Sequence, residues 1–121
     1  MKKFLIAAPV MAGLIAAPAI AHHSFAMFDR DKEVVLVGTV KEFQWTNPHI
    51  FVQVVVPNKK GKGTTEWSVE GASLNTVKRW GWKKDVIKAG DKVTVKIHPM
   101  RDGSLGGSLI NIKLPNGQTL G

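Results

Sequence analysis

The stretch Glu33-Val34-Val35-Leu36-Val37-Gly38-Thr39-Val40-Lys41-Glu42-Phe43-Gln44-Trp45 decides how this chain folds. It is rich in β-branched and aromatic residues and holds no proline, so it reads as a strand, and as a long one. Gly38 sits near its middle. A glycine there marks a bulge or a sharp bend, the device by which a small barrel wraps one strand around two faces.

Downstream, Thr46-Asn47-Pro48 is a turn, because proline restricts the residue before it and removes a backbone donor. From His49 to Val56 the period is two: Ile50, Val52, Val54 and Val56 share one side, and His49, Phe51, Gln53 and Val55 the other. Pro57 to Gly63, with Lys59, Lys60 and Lys62, is a solvated hairpin loop. Thr64 to Glu70 is a third strand, Trp67 and Val69 alternating against Glu66, Ser68 and Glu70. Ser73 suits a helix N-cap and Gly81 a C-terminal cap, which places one short helix next. Val93, Val95 and Ile97 mark a fourth strand ended by Pro99. Asp102-Gly103 and Gly106-Gly107 are turn chemistry. Ser108 to Leu114 is a fifth strand, and Asn116-Gly117 turns a short tail back through Thr119 and Leu120.

Three strands, a helix and two strands within about a hundred residues is the order of a mainly β, five-stranded OB-like Greek-key barrel, with its short helix between strands 3 and 4. A small β-sandwich is the alternative architecture. Ahead of the barrel, Lys2-Lys3 and the uncharged run from Phe4 to Ile20, closed by Ala19 and Ala21, have the pattern of a secretory signal peptide. Pro9 and Pro18 and the short length disfavour a membrane anchor. The division expected is therefore 1–21 signal peptide, 22–32 N-terminal arm packing through Phe25, Met27 and Phe28, and 33–121 barrel domain. Cleavage after Ala21 would make the protein periplasmic and leave 100 residues with no further transmembrane segment. That is enough for one modest core. With no cysteine, disulfides, thiolate metal sites and cysteine nucleophiles are excluded.

The segments His22 to Asp29, Gly38-Thr39-Val40, Trp45 to His49, Trp67 to Gly71, Gly81-Trp82, Gly90 to Val95 and His98 to Gly103 resemble a family of small exported proteobacterial proteins of unknown function. The resemblance spans the mature chain. It implies export and one compact domain and carries no activity with it.

Four histidines are the chemical clue: His22, His23, His49 and His98. Imidazole nitrogen suits copper, zinc and nickel, and a terminal histidine chelates through its amine and ring together. After cleavage, His22 would be such a terminus. This resembles the histidine brace of secreted copper monooxygenases and periplasmic copper carriers, although those use other folds. His23 follows at once, and neighbours in an extended chain point to opposite sides. Met27 and Met100 are possible soft ligands for reduced copper.

The sequence carries net charge +8, about +6 once Lys2 and Lys3 are removed, which attracts anionic partners. Trp80, Trp82, Val86 and Ile87 form an apolar cluster flanked by Lys78, Arg79, Lys83, Lys84 and Lys88. Trp80, Trp82, Lys83 and Lys84 would suit an anionic aromatic or sugar ligand, against the simpler reading of a helix end plugging the barrel. Ser24, His23 and Asp29 are too local for a nucleophilic triad, and no phosphate-cradling loop or zinc-protease helix occurs. The resulting expectation is a non-enzymatic periplasmic binding protein that holds a copper-like metal ion through His22, His23, His49 and His98. The alternatives are a binder of an anionic small molecule or glycan, or an accessory partner of an envelope complex. Outside the cytoplasm, nucleic acid is not the expected partner.

Overall fold

The computed structural model of the chain describes Lys3 and residues 25–121. The leader reading, His22 and His23 therefore fall, Lys3 aside, outside the described residues. Strands β1 (Val34–Gln44), β2 (Phe51–Pro57) and β3 (Thr64–Glu70) lead to helix α1 (Leu74–Arg79), then β4 (Lys92–Pro99), β5 (Gly106–Lys113) and a short β6 (Thr119–Leu120). The sheet order is β3-β2-β1-β4-β5-β6, and a parallel pairing of β3 with β5 closes the first five strands into a barrel. The five-stranded barrel with one helix between strands 3 and 4 is thus the observed fold.

β1 holds the barrel together by serving two partners. Residues Val34 to Thr39 pair antiparallel with β4, and Thr39 to Gln44 with β2. The exchange occurs beside Gly38, where a Cβ would collide with the Val55 carbonyl and meet a Val54 methyl at 3.0 Å. Glycine is needed there for close approach. The bulge itself falls later, between Val40 and Glu42 in the β1–β2 register, while Gly38 is still paired with Val93 of β4.

The period-two pattern sorts residues as expected. Ile50, Val52, Val54, Val69, Val93, Val95 and Ile97 are all buried. Gly106-Gly107, by contrast, belongs to β5 and not to a turn. A Cβ on Gly106 would meet the Ser68 carbonyl at 2.9 Å, and one on Gly107 would meet Ile97 Cδ1 at 2.6 Å, so the seam between β3 and β4 closes only over side-chain-free residues.

The helix begins where the Ser73 hydroxyl accepts from the Thr76 N–H at 3.4 Å. It ends in a Schellman motif: Gly81 has φ of 94°, its N–H reaches the Lys78 carbonyl at 3.1 Å, and the Trp82 N–H reaches the Val77 carbonyl at 3.0 Å. The reversal drives Trp82 under the helix, where it is 2% exposed and packs against Phe43. Its indole N–H finds no partner among the described residues, so bulk is what it supplies. Trp80, on the other side of Gly81, is 49% exposed. Ahead of β1, a 3-10 turn (Phe25–Met27) leads into a bridge between Phe28 and Met100, and Phe28 is buried. No helix among the described residues is long and apolar enough to cross a membrane.

Gly38→Ala should cost about 1–3 kcal/mol through forced separation of β1 and β2. That lowers the thermal midpoint by several degrees, read by circular dichroism. Trp82→Ala should cost about 3–5 kcal/mol and Trp80→Ala under about 0.5 kcal/mol. Equal losses from the two tryptophans in a denaturant titration would contradict this assignment of plug and surface ring.

Candidate functional site

Register places the site. Phe51 of β2 pairs with Glu70 of β3, Glu70 with Ser108 of β5, and Ser108 with His98 of β4. In-register partners face the same way, and the residues alternating with them, Val52, Val69, Gly107 and Ile97, point inward. Glu70, Ser108 and His98 therefore form one outward row, its ends about 10 Å apart at two strand spacings. His49 joins it from the segment entering β2. The Ile50 N–H bonds the Ala72 carbonyl at 3.0 Å and the Gly71 N–H bonds the Ile50 carbonyl at 2.8 Å, so His49 lies against the end of β3. Thr46 and Asn47 secure the same loop: the Thr46 hydroxyl donates to the His49 carbonyl at 2.8 Å, and the Asn47 side chain accepts from the Leu74 N–H at 3.2 Å.

His49 and His98 consequently line one groove of about 570 Å³, with Arg30, Glu70, Ser73 and Trp80 among its other walls. Both rings are held the same way. Nδ1 of His49 lies 2.9 Å from the Gly71 carbonyl, and Nδ1 of His98 lies 2.9 Å from the Lys32 carbonyl. A carbonyl oxygen only accepts, so Nδ1 carries the proton in each, and in the neutral ring Nε2 carries the lone pair. Metal-binding histidines are oriented by this kind of contact. His49 Nδ1 is also 3.6 Å from Glu70 Oε1, an acid whose side chain is only 15% exposed. Among the described residues no group of three or more His, Cys, Asp or Glu is arranged to hold a metal, so a complete metal site would need a donor from outside them.

The other anticipated residues are distributed differently. Met27 and Met100 line a neighbouring, smaller groove of about 280 Å³ with Phe28, Phe51 and Leu105, and Glu70 borders both grooves. Lys83 and Lys84 are exposed at the helix end with Trp80. Trp82 does not join them: the Schellman turn buries it, so it is not available to stack on a ligand. Glu70 and Arg30 were not singled out by sequence, although Glu70 does end the outward-facing set of β3. A third groove of about 420 Å³, lined in part by Val37, Thr39, Lys92 and Lys113, lies along β1, β4 and the end of β5.

The outer β1–β2–β3 surface is polar and acidic. The Gln53 amide donates to Gln44 Oε1 at 3.0 Å and to the Ser68 hydroxyl at 3.2 Å. Glu66 hydrogen-bonds the Lys41 ammonium at 2.9 Å and raises its pKa. In the β4–β5 loop, the Ser104 hydroxyl and then its N–H bond Asp102 and hold its carboxyl below the ordinary range.

Comparison with known proteins bears on fold and family. The profile of a "Family of unknown function (DUF6152)" matches residues 11–109. No curated protein matches the chain. Among solved structures, the fold is similar to that of the mitochondrial single-stranded DNA binding protein Rim1 from S. cerevisiae. One crystal form gives a TM-score of 0.53 at 13% identity over 69% of this chain and 93% of that one. A second gives 0.51 at 13% over 69% and 92%. At such identity the likeness is one of fold. With the family profile spanning most of the chain, from residue 11 into β5, the chain belongs to the family of unknown function DUF6152, carried on an OB-type scaffold.

Proposed function

We propose that the chain is an exported, periplasmic and non-enzymatic binding protein whose His49–His98 groove takes a copper-like ion. The observation that carries this reading is the matched pair of imidazoles in one groove, each with Nδ1 on a backbone carbonyl. Imidazole donors fit copper(II) and zinc, and a common ion requires nitrogen-to-metal distances of about 2.0–2.1 Å for zinc-type sites. The remaining donors come from the processed N-terminus: cleavage after Ala21 frees the His22 amine beside its ring. His23 follows it directly in the sequence as a further imidazole. Glu70 beside His49 orients the ring and supplies negative charge next to the cation.

The DNA named for the structural neighbours is a less fitting ligand. Single strands are held by a cationic groove with stacking aromatics. Here the outward β2–β3 surface, the one OB folds use for oligonucleotides, presents Glu66 and Glu70, and Lys41 beside it is engaged by Glu66.

Copper(II) titration by isothermal calorimetry checks the proposal. The protein beginning at His22 should bind one equivalent, and His49→Ala or His98→Ala should each weaken binding by about tenfold or more. A form with one extra residue before His22 should also bind more weakly. If both histidine variants keep full affinity, the groove is not the site; if the extended form does, the terminal amine is not a ligand.

A further inference from the structure

The segment from Lys78 to Lys88 is not used by the metal reading. Lys78, Arg79, Lys83, Lys84 and Lys88 are all exposed, with Asp85 the one acid among them. None of these five cations makes an ion pair among the described residues. The backbone beneath them is firmly held. Val77, Trp82 and Ile87 are buried, the Schellman turn fixes Gly81, and the Asp91 carboxylate accepts from the Lys88 N–H at 2.9 Å. Flexible cationic side chains thus project from a fixed base in the segment that carries Trp80, the one large aromatic ring among the more exposed hydrophobic residues of those described.

We propose that this segment is a docking surface for an anionic lipid bilayer, with Trp80 seated at headgroup level. Three features favour a bilayer over other anions. None of the five cations lines any of the three grooves, so nothing encloses a small anion beside them. Four of the five are lysines, compact point charges on flexible stems that follow a mobile anionic surface without the fixed two-point geometry that an arginine fork matches. The half-exposed indole has an apolar body and a polar N–H, the combination found where protein meets the membrane interface. Trp80 also borders the histidine groove, so a docked molecule holds that groove close to the membrane. The surface stands independently of whether the groove binds metal.

Vesicle cosedimentation tests it, using the protein as isolated from cells expressing the full sequence. The protein should bind vesicles containing phosphatidylglycerol, bind phosphatidylcholine vesicles far less, and dissociate as salt is raised. Each cation near an anionic surface contributes about fivefold, so Lys83→Gln with Lys84→Gln should weaken binding roughly 30-fold. Trp80→Ala should retain the fold by circular dichroism and lose the blue shift of fluorescence seen on adding vesicles. Equal binding to both lipids, or undiminished binding by the folded double-lysine variant, would overturn the proposal. Retention on heparin without vesicle binding would overturn it too, in favour of a soluble polyanion.

Discussion

The rest of the structure depends on one close approach: β2 passes so near Gly38 that no side chain fits between them. Because β1 can approach β2 there without leaving β4, a single strand belongs to two ladders. That double membership curls the sheet until β3 meets β5. The same condition recurs at the seam, where Gly106 and Gly107 let β5 pass against Ser68 on one side and His98 on the other. Barrel closure is thus a matter of backbone contact at a few points where side chains are missing, and the aliphatic core fills the space those contacts enclose. An open sheet with the same hydrophobic pattern would leave strand edges unpaired.

Closure also makes the groove. Glu70, Ser108 and His98 are neighbours only because β5 lies between β3 and β4. His49 is added by the loop before β2, which is tied to the start of α1 through Asn47 and to the end of β3 through Ile50. The groove histidines therefore rest on the seam where the barrel closes, a parallel pairing of β3 with β5 over three residue pairs. Each ring is held by a backbone carbonyl, that of Gly71 for His49 and that of Lys32 for His98.

Much of the fold was legible in the residues. Alternation of apolar positions in β2, β3 and β4 identified the buried faces, since a half-buried strand must alternate. Ser73 and Gly81 bracketed the helix through capping chemistry alone. Gly106-Gly107 misled, because a glycine pair reads the same whether it turns a chain or lets two strands touch. For Trp82 the residues left two readings open, stacking on a ligand beside Trp80 or plugging the barrel at the helix end, and one residue with positive φ decides for the plug by sending the two rings to opposite environments. The groove was half legible. His49 and His98 stood out as imidazoles, but their meeting, and the part played by Glu70, depend on a parallel β3–β5 register that no local pattern encodes.

The bond between His98 and the Lys32 carbonyl has one more consequence. Lys32 ends the arm, whose earlier residues are pinned to the end of β4 through Asp29 and to the β4–β5 loop through Met27. A ring that is also a groove wall is thereby fastened to the end of that same anchored segment. Whatever immobilises the imidazole from the groove side must, by reciprocity, steady the arm, and whatever shifts the arm must re-aim the ring. The arm and the groove thus form one thermodynamic unit, so the order of the backbone near residue 32 is a gauge of what occupies the groove.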